Sequence, residues 1–368
     1  MRTMVFAMAM LACRRSQHQV LAFLQRPVLR GNFKTTEIMS SCAATSGSSS
    51  SSGSAAAGAT PRKNEVLALD FDGVVCASSG ESSYTSILAA CDFWPRDIAI
   101  VPNSRPFLQI KDAVHALRPI VETGYENMLL VRLLYHRLNE KIDATGREAT
   151  LDVRELMKSW SPAMRDALLL EYGSDKATMV RAFGAARDAL IAKDIGFWVR
   201  LNEVYPWARL AMANLATTSR ALDYTIVTTK QARFVQAILT QNDILPPPPD
   251  RLFDLENPFG SKTAVLQAIL RGLPATSTLS ASDLQAIPLL EPSRRPFIHF
   301  VEDRVETLLA ILESGSELRN NTKLYLVEHG YNTPEQRELG RKYGDITLLS
   351  PNDFQLLLQN GPWATTRS

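Results

Sequence analysis

Two carboxylates stand two residues apart in Asp70-Phe71-Asp72-Gly73, directly after the apolar run Glu65-Val66-Leu67-Ala68-Leu69. A short uninterrupted apolar run reads as a strand buried on both faces, the kind found in parallel sheets. Alternate residues of a strand share a face, so Asp70 and Asp72 point the same way and Phe71 turns back. Gly73 lets the backbone turn sharply and offer N–H groups to an anion. Two neighbouring carboxylates repel one another unless a cation neutralises them. A hard divalent ion such as Mg²⁺, which takes oxygen ligands and bridges to phosphate, suits that task. One carboxylate can then attack phosphorus while the second protonates the leaving oxygen. Taken alone, the same residues also suit a turn followed by a helix cap.

Other apolar runs end in residues of matching chemistry. Tyr224-Thr225-Ile226-Val227 stops at Thr228-Thr229-Lys230, before a helical pattern of Phe234, Ala237 and Ile238. Hydroxyls and free N–H groups at a strand end suit a phosphoryl oxygen, although a threonine there is also an ordinary helix cap. Asn257-Pro258-Phe259-Gly260-Ser261-Lys262-Thr263 opens a further helix, and its lysine can offset phosphate charge. It lacks the upstream glycine and the Gly-Lys adjacency of a P-loop. Phe297-Ile298-His299-Phe300-Val301 ends in a second acidic pair, Glu302-Asp303. His299 lies inside that run and reads as a packed core histidine. Leu324-Tyr325-Leu326-Val327 ends at Glu328-His329, which suit either the cleft or a plain loop.

The order Asp-x-Asp-Gly-Val, then Thr, then Lys, then an acidic pair resembles the haloacid dehalogenase superfamily, over residues 65–78 and 217–355. The resemblance implies an α/β fold: a Rossmann-like parallel sheet core with an inserted helical cap. It implies Asp70 as nucleophile, Asp72 as general acid/base, and Thr228 and Lys262 as holders of the phosphoryl group. Gly73 and Thr229 adjoin these and join the phosphate-binding set. Mg²⁺ would be held by Asp70, the backbone carbonyl of Asp72, and the pair Glu302 and Asp303. The second aspartate favours phosphoester chemistry over dehalogenation. The fourth motif departs from the commoner Gly-Asp with a further acid four or five residues on; here Thr307 lies four residues after Asp303 and Glu306 three. Arg118-Pro119, Glu122 to Glu126 and Phe300 to Arg304 further resemble plant, algal and cyanobacterial members without an assigned substrate.

These motifs need elements to hold them. Between Val75 and Thr228 helical spacing dominates: Phe107, Ile110, Ala113, Val114 and Leu117, then Leu129, Leu130, Leu133, Leu134 and Leu138. Further helices are expected over 151–158, 162–172, 175–192 and 207–221, the last packing back on the core. Residues 61–80 and 216–368 are expected to form the core and 81–215 the cap. A cap excludes water and completes a site when it closes. Arg118 and Arg132 are its candidates for clamping an anionic substrate, with surface positions the alternative. The loop from Glu122 to Asn127 contains Gly124 and is expected to reach the cleft, while Trp160, Phe197, Trp198 and Trp207 read as packing. Residues 272–296 read as a long surface excursion.

The first sixty residues carry +5 against a whole-chain net charge of +2, leaving −3 on the remainder. That leader is rich in Arg and Ser and reads as an organellar transit peptide, plastid rather than mitochondrial by the resemblance. A secretory apolar segment over 4–12 and an untargeted tail are the alternatives. The mildly acidic body argues against nonspecific nucleic-acid binding, no apolar run is long enough to span a membrane, and four cysteines exclude a disulfide framework. A Mg²⁺-dependent phosphatase of a small phosphorylated metabolite is the expected function. The rivals are a phosphomutase and a non-catalytic protein binding a phosphorylated ligand or a partner.

Overall fold

The computed structural model describes residues 64–140, 152–215 and 224–361. The basic leader lies outside these residues, as do parts of the helices expected over 151–158 and 207–221. Among these residues six strands form one parallel sheet: β1 (Glu65–Leu69), β4 (Tyr224–Val227), β5 (Leu252–Phe253), β6 (Phe297–Glu302), β7 (Thr322–Val327) and β8 (Ile346–Leu349). Their spatial order is β5-β4-β1-β6-β7-β8. Counted along the chain, the first strand sits mid-sheet and the order reverses beside it, which is the doubly wound Rossmann arrangement. Ligands bind beyond the carboxyl ends of such strands at the reversal, here between β1 and β6.

Strand alternation divides the core between the two faces. Leu67, Leu69 and Phe71 join the cluster on one face, while Ala68 joins the other with Phe300 and Leu326. The expected pleat of the first run is therefore present. Burial on both faces explains why β1 reads as continuous apolar sequence rather than alternating.

The chain leaves the core through β2 (Cys76–Ala77) and returns through β3 (Glu203–Val204), which pair antiparallel as a short ribbon. Among the described residues six α-helices lie between them: α1 (Ser79–Phe93), α2 (Arg105–Ala116), α3 (Glu126–Glu140), α4 (Val153–Ser159), α5 (Pro162–Glu171) and α6 (Lys176–Arg200). These carry their own apolar clusters, one around Ile87, Phe107 and Leu134, another around Tyr125, Met128 and Phe183. Such clusters let the insertion hold its shape as a cap. Helix α6 kinks at Asp194, whose φ of −160° breaks the helix and whose carboxylate caps Phe197 N at 2.8 Å. The kink lets Trp198 drop into the core cluster.

After β3, α7 (Pro206–Leu215) packs on the core, with Ala208, Ala211 and Met212 in the same cluster as Phe354. The remaining helices belong to the core: α8 (Ala232–Gln241), α9 (Lys262–Leu270), α10 (Val305–Glu313), α11 (Ser316–Asn321), α12 (Pro334–Lys342) and α13 (Pro351–Asn360). The connection over 272–296 runs along the surface, as expected, and is anchored to the core at Leu284. Arg271 Nε donates to the carbonyls of Leu284 and Ile287 at 3.0 Å each, and Leu284 is buried in the core. Among the described residues no helix is long and apolar enough to cross a membrane.

Candidate active site

β1 delivers Asp70 and β6 delivers Glu302 to neighbouring strand ends, because Leu69 pairs with Val301 and Asp70 N donates to Val301 O at 2.9 Å. Asp303 follows by one residue. One carboxylate oxygen from each of Asp70, Glu302 and Asp303 lies within 4.8 Å of the others, all three residues buried. Lys262 is the first residue of α9, whose start is fixed by Ser261 accepting from Ala264 N at 3.2 Å. That position carries its ammonium to 3.0 Å from Asp70 and 2.7 Å from Glu302.

Burial and crowding set the proton affinities. Asp70 is raised to about 7, chiefly by burial, with Glu302 and Asp72 adding and Lys262 opposing. Glu302 is likewise raised to about 7 by burial, with Lys262 opposing and Asp303 adding. Burial also raises Asp303. Burial alone would lower Lys262, but Asp70 and Glu302 outweigh it and raise it. Three buried carboxylates with one lysine carry an unmet negative charge. Oxygen donors of this kind fit a hard divalent cation.

Two glycines shape the floor beneath Asp303. Gly73 has φ +87°, and a Cβ there would lie 2.0 Å from Asp303 Oδ2. A Cβ on Gly330 would lie 2.3 Å from Asp303 Cβ. Asp303 is also pinned by Tyr331 N, which donates to Oδ2 at 2.8 Å, and by Asn332 Nδ2, which donates to its carbonyl at 2.8 Å.

Asp72 shares the cleft with Asp70 but not the carboxylate cluster. Its Oδ1 lies 3.1 Å from Lys230 Nζ. Burial would raise it, but Lys230, Arg118 and the Ser78 hydroxyl together hold it below the usual aspartate value. The two strand-end carboxylates thus differ in environment, and their proton affinities are driven apart.

A cleft of about 530 Å³ opens over these residues, lined by Asp70, Asp72, Arg118, Thr228, Thr229, Lys262 and Asp303. Gly73 and Glu302 are not in its wall; they stand behind it. Thr228 is buried, with its hydroxyl accepting from Lys230 N at 3.1 Å. Thr229 turns instead to the cap, donating to the carbonyl of Glu122 at 3.1 Å. Arg118 comes down from the cap. Its guanidinium lies 4.4 Å over the Tyr331 ring and donates to Val121 O at 2.7 Å. Tyr331 in turn accepts from Ser79 N at 2.8 Å, at the start of the cap.

Several expected cap and loop contacts lie elsewhere. Arg132 is not in the cleft: it pairs with Asp97 at 2.7 Å and stacks on Tyr172 and Trp94. Glu328 pairs with Arg341, and His329 packs among Tyr205, Trp207 and Phe354 with Nε2 3.1 Å from Val74 O. Tyr125 is buried in the core of the insertion, while Glu122, Glu126 and Trp160 of the same insertion line the cleft. His299 is buried in β6, with Nδ1 2.9 Å from Tyr325 Oη. Nothing in the local sequence pattern singles out Lys230, Glu81, Arg187 or Tyr331, which the fold gathers around Asp72 and Arg118.

The doubly wound sheet carries the four motifs at or beside its strand ends, and the helical insertion follows the first motif. This is the α/β fold with an inserted helical cap that the resemblance to the haloacid dehalogenase superfamily implies.

No protein-family model matches the sequence, and a search of curated proteins gives no match. Solved structures similar to this chain include a predicted phosphoglycolate phosphatase from Haemophilus somnus 129pt, at 15% identity and TM-score 0.41, covering 80% of this chain and 97% of that one. A predicted phosphatase from Clostridium acetobutylicum is similar at 14% identity and TM-score 0.40, covering 79% and 96%. A haloacid dehalogenase-like family hydrolase from Streptococcus pneumoniae is similar at 10% identity and TM-score 0.40, again covering 79% and 96%.

Proposed function

We propose that the chain is a divalent-metal-dependent phosphatase that cleaves a small phosphorylated metabolite through an aspartyl-phosphate intermediate. The observation that carries the reading is the pairing of Asp70 with Asp72 in one cleft, the first beside Lys262 and the second beside Lys230.

Asp70 Oδ attacks phosphorus, and the bond from phosphorus to the leaving oxygen breaks. Asp72 gives its proton to that oxygen. Water then attacks the aspartyl phosphate, Asp72 takes the water proton, and the bond from phosphorus to Asp70 breaks to release phosphate. A phosphoryl dianion beside Asp72 raises its proton affinity, whereas Lys230 and Arg118 lower it, so the same carboxyl can serve both steps. Asp70, Glu302 and Asp303 would hold the cation, with Asp72 contributing its backbone carbonyl. When bound, the cation supplies charge neutralisation at the phosphoryl oxygens. Lys262 adds a fixed positive charge beside Asp70, and the Thr228 loop lies across the cleft as the binding partner of the phosphoryl oxygens. Gly73 leaves room for Asp303, and Arg118 closes the cleft from above.

The basic leader supports delivery to a plastid, which a fluorescent fusion of residues 1–63 in plant cells would test. The activity is tested by phosphate release from a panel of sugar, nucleotide and short-acid phosphates with Mg²⁺, and with Asp70→Asn as control. Release that disappears in the control is the expected result. Release unchanged by Asp70→Asn would remove Asp70 from the nucleophile role.

A further inference from the structure

Asp72 sits at one end of a buried chain of alternating charges that begins in the cap. Its Oδ1 lies 3.1 Å from Lys230 Nζ, and Lys230 Nζ lies 4.0 Å from Glu81 Oε2. Arg187 grips Glu81 with two bonds, Nε to Oε1 at 2.9 Å and Nη2 to Oε2 at 2.7 Å. Thr85 Oγ1 and Trp198 Nε1 also donate to Glu81 Oε1, at 2.8 and 3.3 Å. The side chains of Lys230 and Glu81 are 0% exposed. Lys230 is thus held away from bulk solvent, with a carboxylate on each of two sides.

The two halves of this chain of charges come from different parts of the fold. Asp72 and Lys230 follow β1 and β4 in the core. Glu81 is in the first turn of α1 and Arg187 is in α6, the first and last helices of the cap. Among the described residues Lys230 Nζ has no hydrogen-bond partner, although Asp72 Oδ1 lies 3.1 Å away. Its hold on Asp72 is Coulombic, and its place is set by the anions on its two sides. Glu81 cannot wander, because four donor atoms fix it.

We propose that Lys230 is a positioning residue, aiming the Asp72 carboxyl for proton transfer while itself anchored by the cap pair Glu81–Arg187. Seating of the cap thereby sets the acid/base. This rests on Asp72 being the acid/base of the phosphatase. A proton-transfer group that can rotate off line loses its advantage even when it remains present.

The two chemical steps make different demands on Asp72, and this separates positioning from mere structure. With p-nitrophenyl phosphate the nitrophenolate leaves with its electron pair and needs no proton. With an alkyl phosphate the leaving alkoxide needs one from Asp72. Hydrolysis of the aspartyl phosphate needs Asp72 to accept a water proton in both cases.

The test is rapid mixing of the full-length protein with Mg²⁺ and p-nitrophenyl phosphate, alongside steady-state release from the best alkyl phosphate of the panel. Lys230→Met and Asp72→Asn should both release about one equivalent of nitrophenolate in a burst, with turnover afterwards slowed ~10²-fold or more, the size of a lost acid/base contribution. Both should fail on the alkyl phosphate from the first turnover. Glu81→Gln should show the same burst with a smaller loss, and should add little to Lys230→Met in the double variant. If Asp72→Asn gives no burst, the acid/base reading of Asp72 fails. If Asp72→Asn bursts but folded Lys230→Met slows both phases equally, or behaves as wild type, Lys230 is not a positioning residue. Should Lys230→Met fail to fold by thermal melt, Glu81→Gln decides: wild-type first and second steps in that variant overturn the proposal.

Discussion

Lys262 Nζ lies 3.0 Å from Asp70 and 2.7 Å from Glu302, so one ammonium serves the carboxylates of two adjacent strands. The lysine offsets repulsion that a bound cation would otherwise meet alone. Lys262→Met keeps the length of the side chain and removes its charge. Turnover should fall ~10²–10³-fold, as for other losses of a fixed charge at a reacting centre. The metal-free protein should lose about 3–5 kcal/mol, because a buried pair has lost one member. Urea unfolding with and without Mg²⁺ measures the second effect, and unchanged stability would show that Lys262 is not the partner of these acids.

The raised carboxyls make the metal-free protein sensitive to pH in an unusual direction. Asp70 and Glu302 titrate near 7 when folded, against 3.8 and 4.5 ordinarily. Between those limits the folded state binds more protons than the unfolded state, so stability falls as pH rises. Melting of the metal-free protein should therefore decline between about pH 5 and pH 8. Mg²⁺ should raise the melting temperature, and more at pH 8 than at pH 5, because its ligands must be deprotonated. Calorimetry with chelator and with Mg²⁺ gives both curves. A metal-free melting temperature that rises over that interval would contradict the shared burial of these acids.

The strand-end motifs were legible because each is local. β1 and its two aspartates occupy neighbouring positions, and burial on both faces writes β1 and β6 as apolar runs ending where the chemistry begins. The cap helices were legible for the same reason, through their 3.6-residue spacing. Contacts across the fold were not. Glu81 and Arg187 meet over 106 residues, and Lys230 joins them from the core. Arg132 illustrates the converse. Its charge suited a clamp, but the face of α3 that carries it packs on Trp94 and Tyr172, and sequence spacing cannot say which face of a cap helix looks down. Thr229 reads as a phosphate ligand from its neighbour, yet one step along the loop turns its hydroxyl to Glu122.

Gly73 and Gly173 form a controlled comparison. Both have positive φ, +87° and +61°, but a Cβ on Gly173 would meet nothing within 4 Å, whereas one on Gly73 would meet Asp303. Gly173→Ala should cost about 1–2 kcal/mol, the left-handed backbone penalty, and leave turnover intact. Gly73→Ala adds displacement of Asp303 to that penalty, and should remove turnover and the Mg²⁺-dependent rise in melting temperature. Activity retained in Gly73→Ala would mean that Asp303 can move without consequence, and would remove it from the metal set.

Arg118 is a positive charge that the cap brings to the cleft. Its guanidinium rests on the Tyr331 ring, and Tyr331 is tied to the first residue of α1 through Ser79 N. Asp72, Asp303 and Asp70 all act on it electrostatically, so it faces the place where a phosphoryl dianion would sit. An arginine there attracts the substrate before and during reaction alike, so it acts mainly through binding. Arg118→Met should raise KM ~10–100-fold and lower kcat less, with a smaller dependence of kcat/KM on salt than wild type. Arg118→Lys should not restore the wild-type value, because an ammonium lacks the planar face that stacks on Tyr331. A loss confined to kcat would instead place Arg118 in the transition state alone, alongside Lys262.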